Sequence, residues 1–304
     1  VVSDNAPPMD EFYTGVKFKN FRYNFSNFSL IAKSKNNFQT SVNADIPPKY
    51  FVIHTASFIF QRWNLTYFQS VMYSGRSIEL AYINPLTFIK SVEHSLHDRD
   101  KVSMGLSLEV VPLRNLQILG TWMMEDMVFS EIGKGFWGNK TAWNVACLYA
   151  FDFPVDIGIE YTRVEPYMFT HFNNVNNRTN DGRLIGTYLK PNSDELAVLL
   201  RSFWLGRYPL SLRISYQRHG DNVVDDSGKV VRNVGGDFNT NYTNTSSYRV
   251  TFLDGIRNDL FRIDLGFGFE IVKNLNFQGY YSLRKYRDNP IEHFFKVVLR
   301  LYEF

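Results

Sequence analysis

The sequence predicts an all-β chain, a transmembrane antiparallel β-barrel with short turns at one end and long loops at the other. Three observations lead there. Stretches of about ten residues alternate apolar and polar side chains. The connections between them alternate short and long. Aromatic residues are abundant, 27 Phe and 18 Tyr in 304 residues, yet mean hydropathy is slightly negative. A strand sends successive side chains to opposite faces. A barrel in lipid therefore has an apolar outside and a polar inside, and its average stays low.

In chain order, the first strand is expected over 12–24, running inward from the loop end. A turn follows near Ser26-Asn27, then an outward strand over 28–36 and a loop through "NADIPPKY". Strands are expected at 49–60 and 64–73. "VSMGLSLEVV" places Val102, Met104, Leu106, Leu108 and Val110 on one face. Strands at 116–125 and 141–151 precede "VDIGIEYT", where Val155, Ile157, Ile159 and Tyr161 oppose Asp156, Gly158 and Glu160. After 195–205, "LSLRISYQRH" sets Leu210, Leu212, Ile214 and Tyr216 against Ser211, Arg213, Ser215 and Gln217. The cleanest alternation is "DLFRIDLGFGFE". Phe261, Ile263, Leu265, Phe267 and Phe269 face one way, and Arg262, Asp264, Gly266, Gly268 and Glu270 the other. Strands at 275–287 and 293–304 complete the series. Ten residues suffice to cross a bilayer at a tilt.

The short connections are Gln61-Arg62-Trp63, Leu113-Arg114-Asn115, Asp152-Phe153-Pro154, Gly206-Arg207-Tyr208 and Lys273-Asn274. Each is a tight hairpin of turn residues. The long ones cover 74–101, 126–140, 165–194 and 220–258. That segregation is the outer-membrane arrangement, with short turns in the periplasm. Parity then places "SIELAYINPLTF" (77–88) outside the cell, and "SYRVTFLDG" (247–255) in a loop despite its strand-like composition. About thirteen spanning strands are counted. Bacterial single-chain barrels close with an even number, so residues 1–304 read as one barrel domain lacking N-terminal strand(s), with 14–18 strands in the full protein. The last residues end in Tyr302 and Phe304, a terminal aromatic of the kind that barrel-insertion machinery reads.

Composition excludes several classes. No run approaches the roughly 20 apolar residues of a spanning helix. A net charge of +3 is too balanced for nucleic acid. The single cysteine, Cys147, excludes an internal disulfide and a cysteine-based metal site. The start, "VVSDNAPPMDEF", lacks a leader's basic end and apolar run.

Candidate chemistry is sparse. "SVEHSLHDRD" holds Glu93, His94, His97, Asp98 and Asp100. His94 and His97 could share a metal on a helix, but a solvated polar loop is the simpler reading, and no metal or cofactor is expected. Glu79, Glu160 and Glu165 could pair for glycoside hydrolysis, yet inward charges are common in a wet lumen, and no enzyme is expected. The inward row Arg213, Gln217, Arg262, Asp264 and Glu270 reads as lumen salt bridges. Binding fits better. "GKGFWGNKTAW" offers Phe136, Trp137, Asn139, Lys140 and Trp143, and "RVEPYMFTHFNN" offers Arg163, Glu165, Tyr167, Phe169, His171 and Asn173. Aromatic faces stack on the C–H faces of sugar rings, and amides and charges take the hydroxyls, although Trp and Tyr also form the interfacial girdles of such barrels.

In order along the chain, "RSIELAYINPLTFIKSVEH", "NLQILGTWMMEDMVFSEIGKGFWGNKTAWNVACLY", "IEYTRVEPYMFTH", "YLKPNSDEL" and "SYQRHG" resemble the capsule-assembly Wzi family of bacterial outer-membrane proteins, in its Bacteroidetes-like branch. The likeness covers roughly 49 to 304. It implies a barrel that attaches or organises capsular polysaccharide and behaves as a lectin, and it supplies no catalytic residues. The expected function is therefore a non-enzymatic, integral outer-membrane barrel that binds capsular or other surface polysaccharide through its extracellular loops, with outer-membrane lipid around it. The alternatives are a porin-like transport barrel, or an accessory subunit beside other outer-membrane proteins in a larger complex.

Overall fold

The computed structural model describes residues 6–32, 46–204 and 208–301. Thirteen long strands dominate it. They are β1 (Asp10–Phe18), β2 (Phe21–Leu30), β3 (Lys49–Ile59), β4 (Trp63–Ser74), β5 (Lys101–Leu113), β6 (Leu116–Asp126) and β7 (Lys140–Ala150). There follow β8 (Val155–Val164), β9 (Ser193–Trp204), β10 (Tyr208–Asp221), β11 (Leu260–Val272), β12 (Leu275–Tyr286) and β13 (Ile291–Leu301). Each pairs antiparallel with the next in one sheet, with β1 and β13 at the ends of the order. Two short helices, α1 (Leu80–Ile83) and α2 (Ile89–Ser95), lie between β4 and β5.

A twisted sheet of thirteen strands curls rather than lying flat, and one connection crosses its inner face. Arg178, in the connection between β8 and β9, donates to Ser70 Oγ on β4 and Ser103 Oγ on β5, at 3.2 and 2.7 Å. The connection thus reaches over the inner face from the end of β8 to β4 and β5.

The apolar rows lie on the outside of the curve. Leu106 and Leu108 are 45% exposed, Ile159 53%, Leu265 43% and Phe267 46%. In a soluble sandwich these side chains would be buried, whereas a barrel turns them to hydrocarbon. Paired outward aromatics mark both rims. Trp143 and Tyr161 lie 5.1 Å apart at the loop end, and Phe60 stacks on Trp63 at 4.2 Å at the turn end. Cys147 belongs to the outward row of β7.

Three expectations are corrected. The first hairpin turns at Lys19-Asn20, not Ser26-Asn27, which sit inside β2 opposite Tyr13 and Phe12. The outward residues are even-numbered from Phe12 to Phe18 and odd-numbered from Phe21 to Phe25. The break in parity falls at 19–20, and the turn falls there with it. Next, loop lengths segregate with one exception, since residues 287–290 close a tight hairpin at the loop end. Last, the inside is not uniformly wet. Inward Phe51, Ile53 and Met72 are buried against Ile185, and inward Phe68 and Met123 against Met168, Phe169 and Leu189. The expected terminal residues Tyr302 and Phe304, and most of the turn at Gly206-Arg207, lie outside the described residues.

Candidate functional site at the loop end

The connection between β8 and β9, residues 165–192, folds into the curve of the sheet and acts as a plug. Its polar groups are matched to the inner wall. Lys49 Nζ donates to the carbonyls of Asn177 and Thr179 at 2.8 and 2.7 Å. Lys101 Nζ donates to Thr170 O, and Glu125 accepts from Lys101 and from the Phe169 amide. Asn176 accepts from Ser74 Oγ at 2.6 Å. Buried donors and acceptors demand partners, and the plug draws them from β3, β4, β5 and β6. Its backbone reverses at Tyr167 (φ 62°) and Phe169 (φ 70°), conformations disfavoured for large residues. They are fixed by the bond from Tyr167 N to Gly235 O and by the Glu125 bond to Phe169 N. Gly235 (φ +76°) must lack a Cβ, which would stand 2.6 Å from Tyr167 N.

Burial lowers the pKa of His171 to about 4, with help from nearby Lys101, so its ring is neutral at pH 7. Burial also lowers Arg178 to about 10, which leaves it charged.

Beside the plug lies a cleft of about 360 Å³, walled by the 127–139 loop, the ends of β7 and β8, and residues 250–252. Phe136, Asn139, Arg163 and Glu165 line it, with Glu131 and Phe252. The Arg163 guanidinium lies 3.7 Å from the centre of the Phe252 ring and donates to Glu165 at 2.7 Å. Arg249 donates to Glu131, and a bridge between Phe136 and Arg249 draws the 222–259 loop onto the 127–139 loop. The result is an apolar floor with two ion pairs at its edge.

The ten candidate residues thus divide. Phe136, Asn139, Arg163 and Glu165 meet in the cleft. Asn139 also braces its own loop by accepting from Val128 N at 2.7 Å. Trp137 and Lys140 stand behind it. Trp137 stacks on Tyr242 at 3.8 Å and meets Tyr167 edge-on, while Lys140 pairs with Asp126 at 3.2 Å. Tyr167, Phe169 and His171 are buried in the plug, and Asn173 caps the short 3₁₀ turn at 174–176. Nothing in the residue pattern marks Phe252, Tyr242 or Glu131 as partners, because their loops touch only in the fold. Glu160 is bonded by Asn144, and Glu79 lies beside Arg76. The ligand atoms of Glu93, His94 and Asp98 lie within 4.8 Å of one another. His97 is not in that group, and Lys90 already pairs with Glu93 at 2.6 Å.

No protein-family model and no curated protein matches the chain. Solved structures do. A carbohydrate-binding β-barrel, the outer-membrane protein Wzi of Escherichia coli involved in group 1 capsule assembly, aligns with a TM-score of 0.63 at 12% identity, over 97% of this chain and 60% of that one. Two structures of OprD from Pseudomonas aeruginosa align with a TM-score of 0.52, at 10% and 11% identity. They cover 94% and 95% of this chain, and 68% and 66% of theirs. The chain spans three fifths of the length of the Wzi structure. At such identities the likeness is one of fold, and the fold is that of outer-membrane β-barrels.

Proposed function

We propose that this chain is a Wzi-like, non-enzymatic barrel of the outer membrane that binds or organises capsular or other surface polysaccharide at its extracellular end. One observation carries the reading: two aromatic-rich loops far apart in sequence converge on one cleft. There Phe136 and Phe252 offer apolar surface, and Arg163, Glu165, Glu131 and Asn139 offer hydrogen-bonding groups. Such a mixture suits sugars, which have apolar faces and polar rims. The carbohydrate-binding Wzi barrel lends support by its fold. The test is binding of purified surface polysaccharide to the detergent-solubilised protein. Arg163→Met keeps the packing on Phe252 and removes the charge, and it is expected to weaken binding about tenfold, the size of one charge-assisted hydrogen bond. A folded wild-type protein that binds no glycan defeats the proposal.

The likeness to OprD favours a second reading, a transport barrel. It would require an open path past the 165–192 connection, which packs on the inner faces of β3 to β6 at the loop end. Steady single-channel conductance by the native protein would favour it over polysaccharide binding.

A further inference from the structure

The connection between β4 and β5 does not project above the wall. Residues 75–100 fold back over its outward face as a strap. Tyr82 and Ile89 are buried against the outward residues Phe25, Val52, Val71, Tyr73 and Val102. The strap is pinned halfway down the wall. His54 bonds Tyr82 O through Nε2 and the Tyr23 hydroxyl through Nδ1, each at 2.8 Å. A carbonyl can only accept, so Nε2 carries the proton and Tyr23 donates to Nδ1. Gln69 donates to Thr87 O at 2.8 Å and accepts from Ile89 N at 3.0 Å. Leu80, Leu86 and Phe88 remain 77%, 93% and 49% exposed.

Beneath the strap's tip lies a pocket of about 750 Å³. Its lining includes Phe12 and Val16 of β1, Phe21 of β2, Ala56 of β3, and Leu86 and Phe88 of the strap. All four strand residues are on the outward face, so a further strand against the edge of β1 would lengthen this wall without covering it. The pocket runs from mid-wall toward the turn end. From Phe25 to Phe21 it covers about 13 Å of strand at ~3.3 Å per residue, against the roughly 15 Å of hydrocarbon that one leaflet supplies. The hairpins that form its floor turn at Lys19 and Arg62, two cations at headgroup level.

We propose that this lateral pocket holds an acyl chain of an anionic phospholipid from the periplasmic leaflet, with the headgroup phosphate drawn to Lys19 and Arg62. The strap supplies a third wall, so the chain is held while ordinary boundary lipid exchanges past the open rows. The proposal rests on the reading of the barrel as membrane-embedded.

The test reconstitutes the full protein in nanodiscs containing phosphatidylglycerol with a diazirine on its acyl chain, and maps the photo-adducts by mass spectrometry. Adducts are expected on peptides covering 12–25 and 83–88 at several times the yield on the open row 261–269. Ala56→Trp, or Thr14→Trp should the first not fold, fills the pocket and is expected to abolish that excess while the 261–269 yield is unchanged. Lys19→Glu with Arg62→Glu is expected to reduce it several-fold. Equal yield on all three peptides overturns the proposal, as does an excess that survives the filled pocket. An equal excess from phosphatidylethanolamine carrying the same diazirine overturns the anionic headgroup. Absence of adducts everywhere, the 261–269 row included, instead removes the membrane reading beneath it.

Discussion

Glu125→Gln isolates the charge that seats the plug. The Glu125 and Lys101 side chains are 1% and 5% exposed, and Lys101 Nζ lies 2.6 Å from Glu125 Oε2. The same oxygen accepts from Phe169 N at 2.9 Å. Glutamine keeps the shape and an acceptor for that amide, but leaves the ammonium buried with only neutral partners. Removing one partner of a buried pair costs about 3–5 kcal/mol. Opening of the plug returns Lys101 to water, so most of that cost falls on the closed state of the plug. At about 1.4 kcal/mol per decade, the opening constant should rise by roughly two to three orders of magnitude. The assay is hydrogen exchange of the Tyr167–Thr170 amides in nanodiscs at pH 7, paired with bilayer conductance. Protection should fall at least about 100-fold, the low end of that range, and a silent protein should begin to conduct. Replacing both ions, Lys101→Met with Glu125→Leu, should recover only part of the protection, because an apolar pair needs no counter-charge but leaves Phe169 N and Thr170 O without their partners. Unchanged exchange at Phe169 in a folded Glu125→Gln protein would refute the reasoning.

His171 gives the plug a pH dependence of definite sign. Its folded pKa of about 4 lies below the ordinary 6.5, so the unfolded or open state binds the proton more readily. Stability is full above pH 6.5 and falls as the pH drops toward 4, by about 2 kcal/mol at pH 5. Exchange rates across 166–180 measured between pH 7 and 5, corrected for intrinsic rates, should show this, and His171→Asn should flatten the profile. On the outward face, Leu265→Arg should cost about 2–4 kcal/mol in reversible unfolding from lipid vesicles, while the inward neighbour Asp264→Asn should cost under about 1. Equal costs would mean that the faces are assigned the wrong way round. Gly105→Ala should destabilise by about 1–3 kcal/mol, because the new Cβ would fall 2.1 Å from Trp122 O and 2.5 Å from Phe68 Cζ. A neutral melting shift would show that the wall yields there.

The wall was legible in the sequence because its rule is local. Period-two alternation in "DLFRIDLGFGFE" or "VDIGIEYT" assigns each residue a face without knowledge of any partner. The β1–β2 turn obeys the same rule. The change of parity between Phe18 and Phe21 marks 19–20, whereas Ser26 and Asn27 attract attention only as turn-forming residue types. The site was legible in halves. Both motif segments were identified, and Phe136 and Arg163 meet as members of one cleft. Tyr167 and Phe169 look identical on paper to surface aromatics, yet they are buried, because only the folded chain brings Gly235, Tyr242 and Glu125 against them.

Two long connections leave the same rim and take opposite sides of the wall, and their chemistry explains the choice. The 165–192 segment presents Asn176, Asn177, Arg178, Thr179 and Asn180, all buried, and needs polar partners. The inward faces supply them in Lys49, Ser70, Ser74 and Ser103. The 75–100 segment presents Leu80, Leu86 and Phe88, which nothing in the described chain covers and which a hydrocarbon surrounding satisfies. It also supplies backbone partners to His54 and Gln69, two outward residues that would otherwise be polar groups in lipid. An unpaired polar group in the bilayer core costs several kcal/mol. The exceptions to alternation in "VIHTA" and "YFQSV" are therefore the imprint of the strap. A polar residue at an outward mid-wall position indicates a wall that the chain itself covers, and here it marks where that cover is fastened.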